Sequence, residues 1–479
     1  MFIGLDLGTS GLKGILLDEA QRIVAEATAP LTVSRPQGGW SEQDPADWIA
    51  AAEAVFDALS QAHDLGAVAA IGLSGQMHGA TLLDAADRVL RPCILWNDTR
   101  SYREAAEMDA VPAWRRVTGN IVFPGFTAPK LAWVKSHEPD TFKKVAKVLL
   151  PKDYLRLWLT GDHVAEMSDA AGTSWLDTGA RDWSDDLLAR TELGRDHMPR
   201  LVEGSEVSGT LRAELAERWG LRAEVVVAGG GGDNAASAIG VGVVQAGQAF
   251  VSLGTSGVLF AANEGYRPDP ETAVHTFCHA LPGTWHQMGV ILAATDALNW
   301  FAGLVGQDAA ALTIGLGPLQ APGSARFLPY LGGERTPLND AAIRGAFIGL
   351  EHATDWAAAT RAVLEGVTFA IRDCRDALAA TGTEIHSLLA VGGGSRSDYW
   401  LSAVATALDT SVDLPVAGDF GGAFGAARLA MMAATGGGAE LAPPPEIART
   451  IEPEAGLTAA FDEGHARYRA AQTAIQGLT

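Results

Sequence analysis

The hydrophobic pattern opens with two short runs set back to back. Phe2 to Leu7 is apolar apart from Gly4 and Asp6, and Leu12 to Leu17 is apolar apart from Lys13 and Gly14. Between them lie four small residues, Gly8-Thr9-Ser10-Gly11. Short apolar runs joined by a glycine-containing connection predict a β-hairpin. The pattern returns in mid-chain, where Ala249 to Leu253 leads into Gly254-Thr255-Ser256-Gly257 and then Val258 to Ala261. The two turns stand about half the chain apart, so each half is expected to open with the same hairpin.

Strand and helix signals alternate between these hairpins. Ala67 to Ser74, Val89 to Trp96 and Glu224 to Ala228 read as strands. Pro45 to Ser60 reads as a helix, with Asp44 as N-cap ahead of a proline at the first helical position. Pro129 to His137 reads as another, and an Ala-rich helix starts at about Asn234. In the second half, Trp356 to Leu378 has the period of a long amphipathic helix, Leu388 to Val391 that of a strand, and Leu457 to Ile475 closes the chain as a helix after a loop over Gly436 to Pro445. Such alternation predicts an α/β fold with ligands at strand ends.

Composition narrows the partners. A chain of 479 residues with 48% apolar and 19% charged residues is expected to form two well-filled domains. Its formal charge of -22 argues against nucleic acid and anionic membrane as partners. The three cysteines, Cys93, Cys278 and Cys374, have no metal-ligand spacing and read as reduced thiols. With no signal-like N-terminus and no run long enough to span a membrane, the expectation is a soluble cytoplasmic protein, with a homodimer as the common default.

Several residues stand out chemically. Asp6 sits on a strand bordered by glycines, where it is read either as an edge residue facing solvent or as a carboxylate facing a magnesium ion and phosphate, with Lys13 across the hairpin as a phosphate contact. The two Gly-Thr-Ser-Gly turns offer hydroxyls and successive N–H groups that can form an anion-binding nest. Neither a Walker A pattern nor a dinucleotide fingerprint follows the first strand. Asp233 ends the run Gly229 to Gly232 where a helix begins. It is expected to cap that helix and to serve as general base for an alcohol, the glycines leaving room for the hydroxyl. Gln76 and His78, bracketed by Gly75 and Gly79, suit the reading of a polyol, and Trp96 the wall of a sugar pocket. Gly392-Gly393-Gly394 after a second-half strand is read as a bare turn or as a bed for adenosine.

Taken in order, these segments resemble the FGGY carbohydrate kinase family over essentially the whole chain. The resemblance rests on Asp6 to Gly11, Gly125 to Trp133, Gly232-Asp233-Asn234-Ala235, Gly254 to Gly257, Gly332 to Pro337 and the glycines at 392–394. Gly75-Gln76-Met77-His78-Gly79, Trp40 to Pro45, Pro151 to Arg156 and Met167 to Thr173 point to the branch that acts on D-xylulose. The glycine run before Asp233 is one residue longer than that pattern expects. The resemblance implies two ribonuclease-H-like domains of the actin and hexokinase type with an interdomain cleft, a sugar-binding domain over 1–245 and a nucleotide-binding domain over 246–479. It implies ATP-dependent phosphorylation of D-xylulose by in-line transfer, with magnesium. By position, Asp233 would be the base and Asp6 would stand near the metal and phosphates, both carboxylates being candidate magnesium ligands. Met77, His78 and Asn234, with Gln76, would contact the sugar. Thr9, Ser10 and Lys13 would face the transferring phosphate, Gly254 and Thr255 the nucleotide phosphates, and Gly393, Gly394 and Asp398 the adenosine. The rivals are a related kinase for another polyol and an actin-like ATPase with a protein partner. A nicotinamide-dependent dehydrogenase is disfavoured by the missing fingerprint.

Overall fold

The computed structural model describes residues 1–416, 420–476 and 478. The strands that matter for function are β1 (Phe2–Leu7), β2 (Gly11–Leu17), β3 (Ile23–Pro30), β4 (Ala70–Gly75), β5 (Val207–Thr210), β6 (Val226–Ala228), β7 (Gly231–Gly232), β8 (Gly247–Leu253), β9 (Gly257–Asn263), β10 (Ile385–Val391), β11 (Val412–Pro415) and β12 (Ile447–Ile451). The helices are α1 (Pro45–Ala62), α2 (Thr127–His137), α3 (Asp233–Gly240), α4 (Thr295–Val305), α5 (Trp356–Ala380), α6 (Asp398–Leu408), α7 (Gly422–Thr435) and α8 (Thr458–Ile475). The short run around Val89 to Trp96 keeps only Cys93–Ile94 as strand, and the loop after α7 carries a single 3-10 turn, Ala439–Leu441.

The chain folds as two compact units. The first contains Met1–Val244 together with two returning segments, Phe277–Trp285 and Asp419–Pro444; the second contains Gln245–Thr276, His286–Gly418 and Pro445–Thr479. In the first unit the sheet order is β5-β6-β4-β1-β2-β3, with β7 pairing the end of β4. β1 runs antiparallel to β2 and parallel to β4, and β4 runs parallel to β6. The second unit repeats these relations: β8 is antiparallel to β9 and parallel to β10, β10 is parallel to β11, and β11 is antiparallel to β12. Both units thus have the fold of the actin and hexokinase type expected for the family. The repeated hairpin is the sequence trace of this shared topology.

The central sheet of the first unit is covered by helices on both faces. In the first unit α1 lies on one face. Its Asp44 cap accepts from Ala46 N, and Trp48, Val55, Phe56 and Leu59 point into the core. The other face belongs to α7, which approaches the backbone of β1 and β4 unusually closely. A Cβ at Gly72 would stand 1.8 Å from the Ala426 carbonyl oxygen, and one at Gly4 would stand 1.9 Å from that of Ala423. On its far side α7 meets α3, where a Cβ at Gly425 would lie 1.7 Å from the Ala236 oxygen. In the second unit α5, capped by Asp355 donating nothing and accepting from Ala358 N, packs with α6 and α8 around Phe327, Phe369, Trp400 and Phe461. Among the described residues no helix is long and apolar enough to cross a membrane, and Cys93, Cys278 and Cys374 are free and buried.

Because α7 rests directly on the glycine backbone of the sheet, Gly72→Ala is expected to overpack this layer and lower stability by at least ~1–3 kcal/mol. Urea unfolding followed by fluorescence measures this loss, and an unchanged midpoint would contradict the packing described.

Candidate functional site

The site grows from three adjacent strand ends. β1 and β4 run in register with Asp6 opposite Ser74 and Leu7 opposite Gly75, and β7 continues with Gly231 opposite Ser74 and Gly232 opposite Gly75. Asp6 and the Gly232-Asp233 junction therefore flank the end of one strand. β1 lies between β2 and β4, so Asp6 is not on an edge strand, and the solvent-facing reading falls away. Its carboxylate is half-buried and accepts from Ser74 Oγ at 2.8 Å. The first turn of α7 stands over it, since a Cβ at Gly422 would lie 2.8 Å from Asp6 Cγ. The positive end of the α7 dipole therefore faces this carboxyl group.

Asp233 differs from expectation in one respect. Gly232 occupies the N-cap position of α3, and Asp233 is its first helical residue. The Asp233 carboxylate makes no capping bond. Its Oδ1 accepts from Asn234 N at 2.7 Å and Asn234 Nδ2 at 3.0 Å, leaving the other oxygen outside that pair. Burial, and then the negative charge of Asp6, raise its pKa to about 6, with the Asn234 bonds pulling the other way. The two carboxylates are thus held differently: Asp6 by a hydroxyl and a helix end, Asp233 by burial and a neighbouring charge that raise its pKa.

The glycine run that delivers Asp233 is required by crowding. Gly230 has φ +77°, and a Cβ on it would come 2.1 Å from the Leu73 oxygen. The run is also pinned from below. Gly232 N donates to Ser168 Oγ at 3.0 Å, and Ser168 Oγ donates to Glu166 Oε2 at 2.8 Å. Glu166 is held in turn by Lys152, whose Nζ lies 3.2 Å from it, 2.8 Å from Asp153 and 3.1 Å from Asp169. All four side chains are fully buried. Burial alone would pull the Lys152 pKa down, but the three carboxylates outweigh it and hold the ammonium charged.

Met77 packs against Gly232, the residue before Asp233, and His78 against Gly172. Met77 fills the space between two glycines, since a Cβ at Gly232 would be 2.9 Å from its Cγ and one at Gly172 would be 2.9 Å from its Cε. The His78 ring stacks on Phe126 at 4.5 Å, and its Nδ1 pairs with the Gly172 carbonyl at 2.7 Å. Gln76 is placed differently from a residue that reads a polyol. It is buried, its Oε1 accepts from Thr9 Oγ1 at 2.9 Å, and its Nε2 donates to Gln43 Oε1 at 2.9 Å. Gln43 Nε2 donates to the Thr9 carbonyl at 2.8 Å. The two amides therefore lock the first Gly-Thr-Ser-Gly turn. Thr9 Oγ1 also accepts from the indole of Trp96, a residue 48% exposed. Ser10 is exposed, and Lys13 pairs with Glu26 at 3.0 Å.

In the second unit the Gly254-Thr255 turn follows β8, and Gly392 to Gly394 follows the neighbouring parallel strand β10. The two loops abut, for a Cβ at Gly392 would be 2.8 Å from the Leu253 oxygen. The turn is fastened to the start of α4. Thr295 N and Oγ1 each donate to the Gly254 carbonyl at 2.8 Å, and Ala294 N donates to that of Thr255 at 2.8 Å. Gly393 is open on its Cα face, while Gly394 is buried against Leu253 and Trp400. Asp398, at the start of α6, is engaged by Arg449. Ser168, Glu166, Lys152 and the Thr295 latch escaped sequence reasoning. Lys152 and Ser168 fall within Pro151 to Arg156 and Met167 to Thr173, segments that carry the resemblance, whereas Glu166 and Thr295 fall in none.

Residues 1–240 match the N-terminal domain of the FGGY family of carbohydrate kinases, and residues 249–434 match its C-terminal domain. The chain is 53% identical over 438 residues to a xylulose kinase of Escherichia coli strain K12, covering 91% of this chain and 90% of that one. It is 39% identical to a xylulose kinase of Bacillus subtilis strain 168, covering 89% and 87%. A solved structure described as a "xyloylose kinase" from Brucella ovis superposes with a TM-score of 0.99 at 65% identity over the full length of both chains.

The strained protonation of Asp233 has a signature in stability. Its carboxyl binds a proton more tightly in the folded state, so wild-type stability falls as pH rises from the unfolded value near 4 to about 6, then levels. Asp233→Asn is expected to melt higher than wild type above pH 6, by ~1–3 kcal/mol, and to lose that advantage as pH falls towards 4. Thermal melts across this range check the sign, and a variant less stable at pH 8 would contradict it.

Proposed function

The chain belongs to the FGGY family of carbohydrate kinases, and we propose that it transfers the γ-phosphoryl group of ATP to D-xylulose, giving D-xylulose 5-phosphate, with Asp233 as general base. The observation that carries this reading is a carboxyl with its pKa raised to about 6 at the mouth of a glycine run against which Met77 packs. A base with a pKa just below neutral is deprotonated at working pH yet still able to take a hydroxyl proton in the transition state. The identities to xylulose kinases support the choice of sugar.

In the proposed reaction the sugar's C5 oxygen forms a bond to the γ-phosphorus as the bond to the β-phosphate oxygen breaks. The hydroxyl proton passes to Asp233, and ADP leaves. Such transfer depends mainly on positioning and charge stabilisation. Met77 supplies an apolar wall, while His78 and Asn234 supply hydrogen bonds to the sugar. Trp96 borders the same side. We assign Gln76 to holding the Thr9 turn rather than to the sugar. Ser10 and the N–H groups of that turn would face the transferring phosphate. Lys13 would exchange Glu26 for a phosphate oxygen. Nucleotide binding is assigned to the second unit, with the phosphates on Gly254 and Thr255 and the adenosine along Gly393 and Gly394, where Asp398 is already committed to Arg449. In a protein of charge -22, backbone N–H groups are well suited to hold an anion without relying on the net field.

Magnesium fits this donor set. Among the described residues no group of three or more His, Cys, Asp and Glu side chains is arranged to hold a metal alone. Magnesium commonly takes one or two carboxylates and completes its shell with water and phosphate oxygens. Asp6 and Asp233 are the two carboxylates that would supply this share of the shell, Asp233 being the one with the raised pKa. When bound, the ion would neutralise charge on the phosphates.

Asp233→Ala is expected to lower kcat by ~10²–10⁴-fold while leaving ATP affinity within about twofold. Sugar-dependent ADP release and calorimetric ATP binding measure the two, and near-normal turnover would remove Asp233 as base. In wild type, kcat/KM for xylulose is expected to climb as pH rises through about 6, because the acid form of Asp233 cannot accept a proton. A flat profile between pH 5 and 7 would count against the assignment, and a panel of ketoses and polyols in the same assay decides the sugar.

A further inference from the structure

His78 has an unusual backbone for a residue with a side chain. Its φ is +69°, in the left-handed region that non-glycine residues rarely occupy. Such a conformation costs of order 1–3 kcal/mol and persists only where the surroundings over-determine it. Two side chains from α2 supply that determination. Lys130 Nζ donates to the His78 carbonyl at 2.8 Å, and Thr127 Oγ1 donates to the same oxygen at 3.1 Å. Lys130 Nζ also donates to the Gly125 carbonyl at 2.7 Å, tying the loop that carries Phe126 to the same ammonium. Phe126 is the ring on which His78 stacks.

Lys130 is an expensive residue for this place. It is fully buried, and its bonds run to backbone carbonyls rather than to a carboxylate. Burial draws its pKa down to about 7, with Cys93 and Asp98 pulling it up and Arg100 pushing it down. If the role were only to fill space, an apolar side chain of the same length would do so without desolvating an ammonium. What the ammonium adds is a charge-assisted grip on two carbonyls that fix both the backbone of His78 and the ring beneath it.

We propose that Lys130 is a positioning residue for sugar recognition, holding His78 in its left-handed conformation so that the imidazole meets the substrate already oriented. This inference rests on the assignment of His78 to the sugar. It extends that assignment by naming the residue, and the carbonyl, through which the orientation is set.

A double-mutant cycle tests it with the full-length protein and xylulose. Lys130→Met is expected to raise KM for xylulose roughly 10- to 100-fold, as loss of a charge-assisted bond implies, with KM for ATP within about twofold. His78→Ala is expected to raise the same KM. The double variant should match His78→Ala alone, because the grip on residue 78 matters only while the ring is there to be aimed. If the two effects multiply, or if Lys130→Met moves both KM values together, Lys130 is a general structural residue and the proposal is overturned. An unchanged KM in His78→Ala sinks the sugar assignment and the positioning role with it. An altered one with multiplying effects sinks only the positioning role. Should Lys130→Met fail to fold, Thr127→Val removes the second donor to the same oxygen. It must then raise KM for xylulose several-fold in wild type and have no effect in His78→Ala.

Discussion

The organising constraint of the first unit is electrostatic: two carboxylates, Asp6 and Asp233, flank the end of one strand, and the charge of the first raises the proton affinity of the second. Left to themselves, two like charges at a half-buried strand end would oppose folding. The surrounding structure divides them instead. Ser74 and the first turn of α7 serve Asp6, while Asp233 is pushed towards its neutral form. Much of what is distinctive nearby follows from that division. Glycines let α7 and the 229–232 run come close enough, and the Lys152 cluster braces the run from beneath.

The second unit repeats the topology without repeating the chemistry. Aligning the two hairpins puts Ser252 where the first has Asp6, and Phe250 where the first has Gly4. The acid and the glycine that admits a helix are thus confined to one copy. In the other, the turn is clamped by Thr295 and lies against a glycine loop, an arrangement made of backbone rather than of charge. One architecture therefore carries two chemically different strand ends, one bearing a pair of carboxylates, the other lined by main-chain groups.

Local pattern made the hairpins, their repetition, the long helices and the strand-end position of Asp6 and Asp233 legible, because each depends on residues close in sequence. What pattern could not reveal was the destination of a side chain. Gln76 stands between glycines at a strand end, as a ligand contact would, yet both ends of its amide are satisfied by Thr9 and Gln43, the latter 33 residues away. Asp233 follows four glycines as a cap should, but Gly232 takes the cap position and the carboxylate accepts instead from Asn234. Lys130 and Ser168 act on residues 52 and 64 positions away, so no window of sequence around either could disclose the role. The misreadings share one cause: hydrogen-bond capacity is visible locally, while its use is settled by tertiary contact.

The return of α7 to the first unit bears on how the protein comes into being. Phe2, Ile15, Leu17 and Ala70 form a continuous cluster with Ala423, Phe424, Ala427, Ala430 and Met431. During vectorial synthesis the amino-terminal sheet therefore emerges with one greasy face bare, and stays so until α7, which begins 190 residues after the end of β7 (422 minus 232), has left the ribosome. The earliest-made half is the one that must wait, and chaperone occupancy on the nascent chain should be concentrated on that uncovered surface.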